Sequence, residues 1–191
     1  MMEVGENGKA AYEVKNVKLH FKSPIKGKQN VEKQMEEEQT SYRTFDNFIT
    51  FRLDGFTFTF FLKSGHVNVS GIPSFESIGK PIACFNRVFK TNIDLSECKV
   101  DNTTASGKLP ENLFPLYLHR LVEHGKKHGF LVTIRPHYFP SALIRPLPEE
   151  KTRLATAILF TNGKFIIVGA ATREKIDTTW RRLTALIRTA S

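Results

Sequence analysis

Basic side chains at the ends of apolar strands are the residues of this sequence best suited to bind a ligand. Arg52, Lys63, Arg145 and Lys164 each stand beside a run of apolar residues rather than inside one. The whole chain carries 28 Lys and Arg against 19 Asp and Glu, a formal net charge of +9. Such an excess favours polyanionic partners, either nucleic acid or an acidic membrane surface. An apolar sheet surface with basic residues around its edge is typical of a protein that binds a distorted nucleic-acid duplex.

Residue sets that support catalysis or hold a metal are weakly represented. His124 and His128 have the i, i+4 spacing of a metal pair on a helix, but no cysteine lies nearby and Gly125 interrupts that helix. Cys84 and Cys98 form no CxxC pattern, so neither a disulfide framework nor a zinc knuckle is indicated. No Ser/His/Asp set, carboxylate pair or phosphate-binding loop stands out. The sequence therefore predicts a protein that is not an enzyme and needs no metal or cofactor.

The length and composition of the chain indicate a globular protein. It has 191 residues, of which 40% are apolar and 25% charged, enough for one domain or for two fused halves with a real core. No apolar run reaches about 18 residues, so we expect no membrane span and no membrane partner. The polar and Gly-rich start does not have the pattern of a secretory signal, and residues 1–12 are expected to form a flexible tail.

Two segments of the sequence repeat one pattern. Residues 59–72 and 157–170 each contain an apolar run, a polar-Gly turn and a second apolar run. The turns, Ser64-Gly65 and Asn162-Gly163, are typical of β-hairpins because Gly tolerates positive φ angles. Each copy is therefore expected to contain a hairpin at the same place.

A helical pattern follows each hairpin. Residues 74–89 and 172–187 carry apolar side chains at three- and four-residue steps, the stripe of an amphipathic helix. A further helix is well signalled between Pro115 and Gly125, and its counterpart must fall within residues 30–39.

The repeated pattern indicates a tandem duplication. The offset between matching residues grows from 86 at Asn16 and Asn102 to 98 at Gly65 and Gly163, as expected for two copies with small loop insertions. The predicted boundaries place the first repeat at residues 13–98 and the second at residues 99–191.

The strands place apolar residues on both faces of the predicted sheet. Phe56, Phe58 and Phe60 share one face, whereas Phe61 lies on the other with two threonines. Two helices per copy can cover only one face. Either the chain covers the second face with its own segments, or that face is an exposed binding surface.

At these residues the sequence resembles the TATA-box-binding protein (TBP) family. The segments Lys99–Asn102, Phe114–Val122, Phe139-Pro140, Phe160–Lys164 and Gly169–Arg173 occur in family order, and the resemblance extends from about Val14 to Ile187. It implies an α+β fold: a two-repeat, TBP-like saddle with a curved antiparallel ten-stranded sheet and four helices on its convex face. The implied function is to bind and bend AT-rich DNA in the minor groove as a transcription initiation factor.

The resemblance also implies which residues wedge between DNA bases. In the second repeat they are Phe139 and Phe160, with Pro140 beside the first. Their first-repeat counterparts are Phe45 and Leu62, the latter placed by counting back from the Ser-Gly turn. A leucine at this position would stack less well on a base than a phenylalanine.

The central contacts implied by the resemblance are Asn16 and Asn102. The amide of Asn donates to adenine N3 or thymine O2, the only acceptors that an A·T pair offers in the minor groove. Lys18 and Thr104 are expected beside them. The remaining implied DNA contacts are the groove-floor positions Phe60, Asn68, Ser70, Ile158, Ile166 and Val168 and the phosphate contacts Arg52, Arg145 and Lys164.

The resemblance implies partners beyond double-stranded DNA. They are general transcription factors or polymerase-associated proteins on the convex face and edges, in the nucleus or, for a viral protein, in a cytoplasmic viral factory. Lys18, Asn68 and Leu62 depart from the family pattern and keep a second function open: a protein-interaction module whose concave face binds a protein partner or another copy of the chain. Each proposed contact also has a structural alternative, since phenylalanines often lie in cores, asparagines in turns and cations on solvated surfaces.

Overall fold

The chain has an α+β fold, in which strands bury every second residue and helices bury one apolar face. The computed structural model describes residues 12–134 and 140–190. The strands are β1 (Tyr12–Lys22), β2 (Tyr42–Thr44), β3 (Phe48–Leu53), β4 (Phe56–Phe61), β5 (His66–Ile72), β6 (Lys99–Lys108), β7 (Phe130–Ile134), β8 (Ser141–Pro146), β9 (Thr156–Phe160) and β10 (Lys164–Ala170). The α-helices are α1 (Lys28–Glu37), α2 (Gly79–Phe89), α3 (Leu118–His124) and α4 (Arg173–Ala190). The described strands form one antiparallel ten-stranded sheet in the order β2-β3-β4-β5-β1-β6-β10-β9-β8-β7, which confirms the predicted fold class.

The chain divides into two compact units. The first unit comprises residues 16–102, and the second comprises residues 103–190 together with residues 12–15. Each unit follows the same order of elements, a strand, a helix, four strands and a helix. None of the described helices is long and apolar enough to cross a membrane.

Aromatic residues dominate the core of the first unit. Phe58 of β4 is fully buried, and α2 brings Phe85 to 5.8 Å from its ring and to 5.0 Å from the ring of Phe21. The α1 helix contributes two fully buried residues, Val31 and Met35. Because so few apolar residues fix α1, its pattern in the sequence is weak, yet the helix lies within two residues of its predicted position.

A single long helix supplies much of the core of the second unit. Ile176, Leu183 and Ile187 of α4 are buried at the predicted three- and four-residue steps. Trp180 stacks on Phe165 of β10, with ring centroids 4.6 Å apart. The apolar stripe in the sequence therefore identified both the helix and the face that it buries.

The two predicted hairpins are present, but their turns differ in length. Four residues, 62–65, connect β4 to β5, whereas three residues, 161–163, connect β9 to β10. Both turns need Gly, since φ is 70° at Gly65 and 77° at Gly163. The extra residue in the first turn changes which side chains are equivalent in the two units.

Candidate nucleic-acid interface

Each unit has one sheet face that remains accessible, and we call it the open face of that unit. In β3, β4 and β5 every second residue is buried, while the residues between them are half-buried or exposed. The strands β8, β9 and β10 show the same alternation. In the described part of the chain the second face is therefore not sealed into a core, which favours the binding-surface interpretation.

Strand register aligns the two open faces position by position. Thr59 pairs with Asn68 in the first unit, and Ile158 pairs with Ile166 in the second. One step along, Thr57 pairs with Ser70, and Thr156 pairs with Val168. The equivalent positions on the two faces follow directly from these pairs.

The register corrects the predicted contact at Phe60. This side chain is fully buried and points into the helix-covered core. Because side chains alternate between the two faces of a strand, only its neighbours Thr59 and Phe61 reach the open face. Phe60 therefore cannot contact a ligand bound there.

The predicted equivalence of Leu62 to Phe160 is also wrong. Phe61 is the last residue of β4 and pairs with Phe48, as Phe160 is the last residue of β9 and pairs with Ser141. Leu62 already belongs to the four-residue turn. Counting back from glycine failed because the first turn is one residue longer. A phenylalanine thus stands at this position in both units.

Three aromatic rings group at the end of the first open face. Phe45 stacks on Phe48 with ring centroids 4.5 Å apart, and Phe48 lies 5.9 Å from Phe61. The side chain of Phe45 is 46% exposed, a large fraction for an aromatic residue. Sequence reasoning missed Phe48, although its alternation with the buried Ile49 places it on this face.

The second unit has one predicted wedge residue within the described part of its open face. Phe139 lies outside the described residues. Pro140 is exposed, and Phe160 is half-buried on the open face.

The amide of Asn16 has a defined orientation. Its Oδ1 accepts a hydrogen bond of 2.9 Å from the backbone N–H of Gly71, a residue with a φ of 87°. Because the oxygen is committed to this backbone donor, the amide nitrogen is the group left to donate to a ligand. Asn16 therefore presents an amide N–H donor from β1. Asn102 and Thr104 are half-buried, and Lys18 is exposed.

The floor of the first open face carries polar residues at Thr59, Asn68 and Ser70. A pocket of about 310 Å³ is lined by His20, Phe61, Ser64, His66 and Asn68. The rings of His20 and His66 meet edge to face, with centroids 6.0 Å apart. The Nδ1 atom of His20 lies 2.6 Å from a carboxylate oxygen of Asp101, which fixes the orientation of the histidine ring.

Four positions that are polar on the first open face are apolar on the second. Leu143, Ile158, Ile166 and Val168 occupy the positions of Thr50, Thr59, Asn68 and Ser70 of the first unit. All four are half-buried, so a large part of each side chain remains in contact with solvent. Exposed apolar surface of this kind usually marks a binding site.

Cations stand at matching places on both faces. Arg52 follows Thr50 by two residues in β3, and Arg145 follows Leu143 by two residues in β8; both arginines are exposed. Lys164 is exposed at the start of β10, where it pairs with Lys108. Residues 103–191 carry 14 Lys and Arg against 6 Asp and Glu, compared with 12 against 10 in residues 16–102. The electrostatic attraction for a polyanion is therefore stronger in the second unit.

His128, which follows α3, contacts α4 on the helical side. Among the described residues no group of three His, Cys, Asp or Glu side chains is placed to hold a metal ion. Burial lowers the pKa of His128, and the charges of Arg182, His124 and Lys127 lower it further. His128 Nε2 lies 3.2 Å from the hydroxyl of Thr189, a structural contact on the helical side.

Comparisons with known proteins agree with this geometry. Residues 97–190 match the family model described as "Transcription factor TFIID (or TATA-binding protein, TBP)". Among solved structures, Methanococcus jannaschii TBP is similar over 93% of this chain and 98% of its own, with 22% sequence identity and a TM-score of 0.69. Heterotetrameric sarcosine oxidase from Corynebacterium sp. U-96 shows 9% identity over 94% of this chain and 83% of its own; its TM-score of 0.33 is too low to indicate a shared fold. No curated protein sequence matches the chain.

Proposed function

Because residues 97–190 match the TBP family model and the chain has the fold of Methanococcus jannaschii TBP, we propose that its open faces bind the minor groove of double-stranded DNA, bend the duplex and so support transcription initiation. The fold is that of a DNA-binding transcription factor family. One observation carries the proposal. Each unit has an accessible sheet face with a phenylalanine, Phe61 or Phe160, at the end of one strand and an exposed arginine on the neighbouring strand.

Bending follows from the balance of three free-energy terms. Inserting a phenylalanine between two base pairs costs a few kcal/mol of stacking at each kinked step. Burying apolar side chains such as Ile158 and Ile166 against the opened groove returns about 25 cal/mol per Å² of apolar surface. Arg52 and Arg145 add the gain from releasing counterions when they neutralise phosphates.

Polar contacts then place the protein on the groove. The Asn16 amide, oriented by its bond to Gly71, donates to adenine N3 or thymine O2. We place Asn102 in the same role at the equivalent position of β6 and Lys164 among the phosphate contacts. The helical side, where Arg181 and Arg188 of α4 are exposed, is proposed to contact other transcription factors in the nucleus.

The test compares two neighbouring residues at the end of β4. We expect the double variant Phe61→Ala/Phe160→Ala to lose a large part of the bend in an AT-rich duplex labelled at both ends for energy transfer, because each kink loses the phenylalanine that ends β4 or β9. The matched control, Leu62→Ala, removes an apolar side chain of similar size one residue away and should bend DNA like the original protein. Unchanged bending by the double variant, or an equal loss in the control, would overturn the wedge assignment.

The polar first open face supports a second candidate function, a protein-interaction module. Lys18 and Asn68 are unusual for a surface that covers bases, and three exposed or half-exposed aromatic rings stand beside them. Gel shifts on AT-rich and GC-rich duplexes at two salt concentrations separate the candidates. Saturable, salt-sensitive binding supports the DNA function. No binding at micromolar protein, together with a concentration-dependent dimer, supports the alternative.

A further inference from the structure

We propose that the two units read different base pairs: the first unit accepts a G·C pair in its half of the DNA site, whereas the second unit requires A·T pairs. This inference rests on the proposed function, since it assigns a sequence preference to each open face. It follows from four equivalent positions that differ in polarity between two faces of the same fold.

The contrast is clearest at the cross-strand pair in the centre of each face. Thr59 and Asn68 form a cross-strand pair where the second unit has Ile158 and Ile166. At two neighbouring positions, the first unit has Thr50 and Ser70, and the second unit has Leu143 and Val168. Because the backbone register is the same, the difference lies in side-chain chemistry and not in the shape of the strands.

The polar side chains of the first open face are not used by the fold. In the part of the chain that the structure describes, Thr50, Thr59, Asn68 and Ser70 make no side-chain hydrogen bond. Two buried threonines of α4 behave differently: the hydroxyl of Thr179 donates to the carbonyl of Lys175, and that of Thr184 donates to the carbonyl of Trp180. A DNA duplex that displaced water from the first face would therefore meet polar groups that still need partners.

The chemistry of the minor groove turns this difference into a preference. A·T pairs present only acceptors there, whereas a G·C pair adds the 2-amino group of guanine, a donor that projects from the groove floor. Isoleucine and valine offer this donor no partner, so its burial against the second open face is unfavourable. Asn68 and Thr59 supply oxygen acceptors at the same positions of the first open face. Hydroxyl and amide groups also donate, so the first face still accepts an A·T pair.

A palindromic duplex tests the proposal whichever way round the protein binds. The starting duplex is an AT-only palindrome, on which either unit can take either half. One A·T pair is changed to G·C at each position of one half in turn, and then also at the symmetry-related position of the other half. For each protein the affinity ratio is taken between duplexes, so that a change in overall affinity cancels.

The original protein should tolerate the first change and not the second. It can turn so that its first unit covers the single G·C pair, and at the sensitive position we expect a loss below about threefold. A second G·C pair then has to face the apolar unit, and affinity should fall by about tenfold or more.

Two reciprocal variants assign the effect to the named residues. Thr59→Ile/Asn68→Ile should lose about tenfold already at the first G·C pair, because the central cross-strand pair is then apolar in both units. Ile158→Thr/Ile166→Asn should lose less than about threefold at either pair. Thermal melts followed by circular dichroism show that each variant is folded before its ratios are compared.

The outcomes separate this inference from the proposed function. The inference is overturned if the protein binds the AT-only duplex and loses the same affinity at the first and at the second G·C pair. It is also overturned if neither variant changes the affinity ratios. Either result leaves DNA binding in place. Absence of binding to every duplex, the AT-only palindrome included, overturns the proposed function and this inference together.

Discussion

The open faces of the two units have the same strand register but different side-chain chemistry. Their buried faces have the same register and are apolar in both units. Thr59 and Asn68 stand where Ile158 and Ile166 stand, yet each pair is flanked by fully buried apolar residues such as Phe58 and Leu159. Folding therefore constrains one face of each sheet and leaves the other to be set by what it contacts. A polar and an apolar version of one surface are expected when the two copies of a duplicated unit meet different parts of a ligand.

The largest expected effect tests whether the buried and open faces are separable. Phe58→Ala should destabilise the protein by about 3–5 kcal/mol, because Phe58 is fully buried and stacks on Phe51 at 5.4 Å. Phe61→Ala, three residues further along the same strand, should cost only about 1 kcal/mol, since its ring is half-exposed and contacts Phe48 at 5.9 Å. Urea denaturation measures both values.

A different ranking of those two variants would break the comparison. Equal destabilisation would mean that the aromatic cluster of Phe45, Phe48 and Phe61 is a second core of the first unit. The open face would then have a structural role, and its aromatic rings would no longer be available as wedges.

The sequence predicted the fold well because the fold depends on alternation, which survives divergence. Helix α4 and both hairpins follow from apolar spacing and from Gly at the turns. The stripe over residues 74–89 corresponds to a helix that starts only at Gly79, because residues 75–77 form a short 3-10 turn that carries similar spacing. Short-range patterns thus locate elements more reliably than their ends.

The next prediction compares the two hairpin turns. Both Gly65 and Gly163 have positive φ, so alanine at either position should cost about 1–2 kcal/mol of backbone strain. At Gly163 an added Cβ would also lie 2.3 Å from the ring of Phe114, whereas at Gly65 the nearest atom is the Ser23 carbonyl oxygen at 3.3 Å. We expect Gly163→Ala to destabilise by about 1 kcal/mol more than Gly65→Ala in thermal or urea unfolding.

A double variant isolates the contact with Phe114. In a Phe114→Ala background the additional cost of Gly163→Ala should disappear, leaving the strain that Gly65→Ala also shows. If the two glycine variants stay unequal without the Phe114 ring, the difference belongs to the turn lengths, four residues against three, and not to this contact.

The turn lengths also explain why the site was harder to predict than the fold. Sequence spacing from Gly65 assigned the wedge to Leu62, and only the pairing of Phe61 with Phe48 shows that the longer turn moves it by one residue. Phe60 was misplaced because a run of two phenylalanines puts one ring on each face, and the sequence alone did not show which face was open. The orientation of the Asn16 amide depends on Gly71, a residue 55 positions away, which no local pattern reveals.

The smallest expected effect concerns what the two open faces have in common. Arg52→Ala and Arg145→Ala each remove one exposed cation beside an open face. If each arginine contacts one phosphate, the slope of log K against log salt should become shallower by about 0.9 in either variant. The loss should be the same on AT-only and G·C-containing duplexes, because phosphate contacts position a protein without reading bases. Salt titrations by fluorescence anisotropy measure the slopes, with Lys90→Ala, an exposed cation at the end of α2 on the helical side, as the control.

Equal slopes for the two arginine variants would show that the two open faces make the same phosphate contact at their edges although their central residues differ. A loss confined to one duplex would instead assign that arginine to base reading, and the two faces would then differ at their edges as well as at their centres.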